Sequence, residues 1–307
     1  MDQAKTVRIV SVSIEAEPAV LITYFDGKDI EAELTPLFEK HCADGVDLVV
    51  FPETLAGGEE PVGIPGPFLS FFQKKARQYH TYVVCPVFRK CPDGARANAA
   101  VLIDREGNIQ AIYDKIFPFW AEFDLKPPVR AGSECLVAET DFGRLGFAIC
   151  FDANFPELWQ ELADKDADIV VWTSAYSAFS SLQGHAKNHH YYIVTATMAC
   201  DCTVYDINGE LMHYSRGKGY HVTHTTLDMN RIICHENFNR DKIARLLKEH
   251  PGEAEMEADM QREGWIILKG LNPENPIRRL AGEYGIPELR QYVRASREMV
   301  QRHRDGR

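Results

Sequence analysis

The sequence predicts a mixed α/β layered fold, on three observations. Short apolar runs of strand length alternate with amphipathic stretches from residue 7 to about residue 230. Two strand pairs are joined by the turn dipeptides Gly107-Asn108 and Asn208-Gly209, so antiparallel hairpins accompany the crossover units. The run Leu48-Val49-Val50-Phe51 is apolar throughout, as in a strand covered on both faces. A chain of 307 residues buries such a core without disulfides or a structural metal.

The elements follow in order. Val10, Val12 and Ile14 alternate with polar neighbours and give a first strand one buried face. Ile30, Leu34, Leu37, Phe38 and His41 fall at helical spacing, with Pro36 starting or kinking that helix. After the strand over 47–51 come a helix over 68–79 and a strand over 82–88. Strands over 99–104 and 109–114 flank the first turn. Strands over 145–150 and 169–172 enclose a helix that begins near Pro156, because proline suits a first helical turn. A helix over 182–192 leads into a strand over 193–198, and strands over 203–206 and 211–214 flank the second turn. The two hairpins hint at two similar halves.

Beyond about residue 230 the character changes. Glu253, Glu255, Glu257, Asp259 and Glu263 form an acidic stretch, and residues 278–307 are rich in arginine. Opposite-sign blocks predict solvated helix faces, with a partner-clasping arm as the sharper alternative. The expected division is a catalytic domain over 1–235 and a largely helical extension over 236–307, packed at a subunit interface.

Lys+Arg 34 against Asp+Glu 45 leaves a net charge of −11. An anionic surface repels phosphate backbones and acidic membranes, so neither nucleic acid nor membrane is an expected partner. No run approaches the ~18 apolar residues of a membrane helix. Met1–Lys5 run straight into the first strand with no apolar leader, which points to the cytoplasm. The eight cysteines are dispersed and contain no C-x-x-C pair, so they read as free thiols, most of them buried. His185 and His189 have the spacing of a metal pair but lack the intervening glutamate of H-E-x-x-H, so a solvated or interface face is expected and no metal.

Three segments carry candidate chemistry. Phe51-Pro52-Glu53 puts a carboxylate at the C-terminal end of a buried strand, where α/β folds bind ligands. Glu53 there is either a cap or a general base. Tyr113-Asp114-Lys115 ends a hairpin strand, and Lys115 is either a solvated edge charge or, in a cleft, a stabiliser of negative charge on oxygen. Cys150 ends the strand Gly146–Ile149 just before Pro156, a strand-to-helix corner like that of a nucleophile elbow. Helix-terminal amides and a cationic lysine near it are expected to favour the thiolate.

Taken together, Phe-Pro-Glu, Tyr-x-Lys and Cys-x-Asp-x-x-Phe-Pro-Glu, in this order, resemble the carbon–nitrogen hydrolase (nitrilase) superfamily, in its amidase-like branch. The likeness spans about residues 6–230 and includes Gly143-Arg144-Leu145-Gly146, Lys187-Asn188 and Asp206-Ile207-Asn208-Gly209. It implies a four-layer αββα sandwich of mixed sheets with a C-terminal helical extension, assembled as a homodimer or higher homo-oligomer. It implies Cys150 as nucleophile, Glu53 as general base, Lys115 as oxyanion stabiliser and no cofactor. A second glutamate between lysine and cysteine belongs to the pattern. Glu122 is its match here, with a long spacing to Gly132, and Asp124 and Glu134 are the fallbacks.

The expected substrate is a small linear amide. Carbamoyl-amino-acid hydrolases of the superfamily carry arginines just after the nucleophile, whereas this chain has Ala153 and Asn154. Phe117, Phe119 and Trp120 after the lysine, and Trp172, Ser174 and Tyr176 after the next strand, suggest a pocket wall or core aromatics. Phe151, Trp120, Asn154, Ser174 and Tyr176 are the candidate substrate contacts, with the Phe151 backbone N–H facing the oxyanion. Carbamoyl compounds and nitriles are the next substrate classes. A Cys–His hydrolase using His185 or His189, and a non-catalytic binding protein, are the competing readings.

Overall fold

The computed structural model describes residues 6–16 and 23–306; the Met1–Lys5 leader reading lies outside the described residues. The chain forms two units, one of Val7–Thr140 and Arg144–Thr226, the other consisting mainly of Leu227 onward.

The first unit opens with β1 (Thr6–Ile14), α1 (Ile30–His41), β2 (Leu48–Val50), α2 (Pro67–Tyr79), β3 (Tyr82–Lys90), β4 (Arg96–Ile103) and β5 (Ile109–Asp114). Strands β1, β2 and β3 are parallel, whereas β3, β4 and β5 are antiparallel. Asp29 starts α1 by accepting from the backbone N–H groups of Glu31 and Ala32 at 3.0 and 3.2 Å, so Pro36 lies inside this helix and does not begin it. Both helices bury one face, with Leu34, Phe38, Leu69 and Phe72 packed against Val49, Val83 and Val101.

The same plan repeats in β6 (Val137–Thr140), β7 (Gly143–Ile149), α3 (Pro156–Asp164), β8 (Ile169–Ser174), α4 (Phe179–His189), β9 (Tyr192–Thr197), β10 (Asp201–Tyr205) and β11 (Leu211–Arg216). Here β7, β8 and β9 are parallel and β9, β10 and β11 antiparallel, so the two hairpins do mark two similar halves. Helix α4 ends before the expected residue 192, because His190 takes the left-handed conformation at φ 59°. The last strand, β12 (Tyr220–Asp228), returns to the first sheet. The strand orders are β12-β1-β2-β3-β4-β5 and β11-β10-β9-β8-β7-β6.

The two sheets meet face to face. Ser13 Oγ on β1 donates to the Asp201 carbonyl at 2.6 Å and accepts from the Thr197 N–H at 3.2 Å. The Tyr113 and Phe147 rings stack across the interface with centroids 6.4 Å apart. With α1 and α2 covering one sheet and α3 and α4 the other, the layers run αββα.

The second unit holds the expected helices and, beside them, three strands. It contains β13 (Arg231–His235), α5 (Arg240–Glu249), β14 (Ala254–Met260), β15 (Trp265–Gly270), α6 (Ile277–Glu283) and α7 (Leu289–Arg304). The strands form an antiparallel sheet in the order β13-β15-β14. Its unit begins at Leu227, earlier than residue 236. Glu255, Glu257 and Asp259 recur every second residue, the period of a strand and not of a helix. Two of them meet arginines, Arg231 with Glu257 at 2.6 Å and Arg240 with Asp259 at 3.0 Å. Ile266 and Leu268 on the central strand pack on α5 and α6.

Candidate active site

Cys150 follows β7 directly, with φ 47°. A non-glycine residue in that region costs about 1–3 kcal/mol, so neighbouring contacts must hold the corner. Asp152 supplies most of them. Its Oδ2 accepts from the Ile149 N–H at 2.8 Å and the Tyr113 hydroxyl at 2.7 Å, and its Oδ1 accepts from the Phe117 N–H at 2.9 Å. One buried carboxylate thus ties the cysteine corner to the end of β5, where Lys115 leaves the sheet. The Trp172 indole N–H donates to the Cys150 carbonyl at 3.1 Å, and the Trp159 indole to the Asp152 carbonyl at 3.0 Å.

Burial raises the Asp152 carboxyl from 3.8 to about 6, against the pull of its three donors. Folding therefore takes up a proton here. This contribution to stability is full below 3.8 and is lost as pH rises through about 6. Asp152→Asn leaves three donors with one acceptor fewer and should cost about 1–3 kcal/mol. Because asparagine does not titrate, the parent's advantage over the variant is expected to be larger at about pH 4 than at about pH 7. Urea denaturation across that range measures both effects.

Glu53 lies just beyond β2, and Thr54 at φ 50° turns the chain away from it. Lys115 is 1% exposed, and its Nζ donates to Glu53 Oε1 at 2.9 Å and to Glu122 Oε2 at 2.7 Å. Glu122 Oε2 also accepts from the Phe119 N–H at 2.7 Å. Burial works against the lysine charge, but Glu53, Cys150 and Glu122 outweigh it and raise the ammonium above its ordinary range. Lys115 is therefore a fixed cation.

Seven of the eight cysteines are buried, and Cys150 alone is partly exposed. Its thiol contacts the side chains of Glu53 and Ser174. Burial and then Glu53 raise the thiol well above its usual range, whereas Lys115 and Ser174 act the other way. Lys115 thus favours the thiolate as expected, but burial and Glu53 outweigh it.

The structure brings Glu53, Lys115, Cys150 and Glu122 into one cluster. Asp124 and Glu134 are exposed and take no part in the Lys115 pairing. Ser174 is buried and accepts from the Tyr176 N–H at 3.0 Å. Tyr176 is hydrogen-bonded to Asn154, whose Nδ2 donates to the Phe151 carbonyl at 3.1 Å. Phe151 packs edge-on to Phe119 with centroids 5.6 Å apart. Trp120 is exposed, set on the same short 3-10 turn as Glu122. Trp172 is core, not pocket wall.

His185 is not beside the thiol. Its ring stacks on Trp159 at 4.2 Å and its Nε2 meets the Ala153 carbonyl at 2.9 Å. Among the described residues no group of three or more His, Cys, Asp or Glu side chains could hold a metal ion.

Two supporting residues were missed in the sequence. Asn98 on β4 donates from Nδ2 to Glu53 Oε1 at 2.7 Å and to Glu122 Oε1 at 2.8 Å. Arg96, also on β4, donates to the carbonyls of Gly58 and Lys126, both at 2.7 Å, and so braces the chain beyond each glutamate. The available signal was a pair of polar residues in the otherwise apolar stretch Arg96–Ile103.

A buried carboxylate–ammonium–carboxylate cluster around a partly exposed thiol, at the strand ends of an αββα sandwich, is the layout of an enzyme. The carbon-nitrogen hydrolase family model matches residues 9–233, and the chain belongs to that family, hydrolases acting on carbon–nitrogen bonds. A formamidase from Bacillus cereus (strain B4264) is 27% identical over 271 residues, covering 79% of this chain and 78% of its own length. One from Bacillus anthracis is 26% identical with the same coverage. A CN-hydrolase superfamily protein from Xanthomonas campestris, with an arsenic adduct in its active site, superposes with a TM-score of 0.63 at 18% identity, over 81% of this chain and 96% of its own. An amidase of the nitrilase superfamily from Nesterenkonia AN1 gives a TM-score of 0.59 at 18% identity, over 79% and 96%. These structures share the fold.

Proposed function

We propose that the protein hydrolyses a small linear amide through a thioester on Cys150. The observation that carries this reading is the Cys150 thiol in contact with Glu53, while Lys115 is paired with both Glu53 and Glu122. Glu53 takes the thiol proton as the sulfur attacks the amide carbon, and returns it to the departing nitrogen. Water then loses a proton to the same carboxylate and cleaves the thioester, giving the acid and restoring the thiol. The Lys115 ammonium and the Phe151 backbone N–H face the oxyanion of each tetrahedral intermediate. Glu122 holds Lys115 in place.

The substrate reading rests on charge and on kinship. The cation nearest the thiol, Lys115, is already doubly paired, so a substrate carboxylate finds no guanidinium clamp at Ala153 and Asn154. Relatives named formamidases favour a short acyl group. Ammonia release from formamide, acetamide and propionamide should exceed release from ureido acids and nitriles by at least ~10-fold in kcat/KM. Turnover of a ureido acid or nitrile with none of any amide would overturn the assignment.

A further inference from the structure

Asn98 has no exposed surface, and its single Nδ2 serves two carboxylates at once. Among the described residues its buried Oδ1 has no hydrogen-bond partner. An unsatisfied buried acceptor costs about 1–3 kcal/mol, so the placement of this side chain is explained by its nitrogen.

That nitrogen makes the two oxygens of Glu53 unlike. Oε1 accepts from Lys115 Nζ at 2.9 Å and from Asn98 Nδ2 at 2.7 Å, which fills its two acceptor directions. Oε2 accepts the Ala175 N–H at 2.9 Å, which leaves one acceptor direction for the Cys150 thiol. We propose that Asn98 is a positioning residue that saturates Glu53 Oε1 and thereby makes Oε2 the atom that receives the Cys150 proton. In that step the S–H bond breaks and an O–H bond forms at Oε2, while the sulfur electron pair forms a C–S bond to the substrate carbon and the C=O π pair moves onto the carbonyl oxygen. The inference rests on Glu53 as general base.

The other charged or titratable groups around Glu53 are Lys115 after β5, Cys150 after β7 and Tyr176 after β8, with Glu122 reaching it through Lys115. None of them replaces the Asn98 donor. A carboxylate with one donor fewer holds its proton to higher pH.

Asn98→Leu keeps similar volume and removes the donor. The acid limb of its kcat/KM profile is expected to move up by about one pH unit, with kcat lowered ~10–100-fold and KM changed less than ~3-fold. Asn98→Ser, whose hydroxyl is shorter, should shift the limb in the same direction by less, and carries the test if the leucine variant does not fold. A profile that superimposes on the parent's in either folded variant overturns the proposal, since a merely structural role lowers Tm without moving the limb. Glu53→Gln is the separating control. If it keeps turnover, the general-base reading fails; if it is inactive and the Asn98 profiles do not move, only the Asn98 inference fails.

Discussion

Cys150→Ala is expected to lower amide turnover by at least ~10⁴-fold while leaving the protein folded. The loss is large because, in the proposed mechanism, Glu53 and Lys115 supply no nucleophile of their own: one accepts a proton and the other stays charged. Stability should hardly change, since the side chain is only partly buried and its left-handed backbone is fixed by Asp152 and Trp172. Cys150→Ser should be nearly as inactive, because an alcohol is far harder to deprotonate than a thiol. Steady-state ammonia release with circular dichroism on the same samples checks both halves. Retained turnover in Cys150→Ala would remove the nucleophile assignment.

Lys115→Met is expected to strike activity and stability together. Lys115 bridges two carboxylates that are themselves buried, Glu53 at 5% and Glu122 at 5% exposure. Removing the cation leaves two like charges desolvated and facing each other, a loss of about 3–5 kcal/mol. Turnover should fall a further ~10²–10³-fold as the oxyanion loses its charged donor. The double variant Lys115→Met/Glu122→Gln separates the effects: neutralising one carboxylate should recover much of the stability and none of the activity. Guanidinium denaturation and initial rates measure them independently. Full stability in the single variant would mean that the cluster is not held by that ion pair.

The sequence made the proposed reacting groups legible because each follows a strand that hydrophobic periodicity predicts. Glu53 comes after the apolar run ending at Phe51, Lys115 after a hairpin strand, and Cys150 after the run ending at Ile149. Chain order alone carried no distance between them. Face-to-face packing of the sheets and the Asp152 contacts to Tyr113 and Phe117 supply that juxtaposition. Glu122 was legible only through the family pattern, and its long spacing to Gly132 is compatible with the cluster: the Gly132 N–H still donates to the Lys115 carbonyl at 2.8 Å.

What was not legible has equally specific reasons. Asn98 hides in a strand as one polar residue between alanines, and its role depends on two glutamates 45 and 24 positions away. The pairing of Lys115 with two carboxylates depends on packing that chain order does not carry. The strands of the second unit were obscured by charge. Alternating acids read as a hydrophilic block until antiparallel pairing with β15 places them in a sheet.

The central claim is that hydrolysis passes through an acyl group on Cys150, and rapid acid quench during turnover of a short amide tests it most directly. Intact mass and peptide mapping of the quenched enzyme should show one added acyl group, carried by the peptide containing Cys150 and discharged by hydroxylamine. Steady turnover with no adduct on that peptide at any quench time, or the adduct on another residue, would contradict the account.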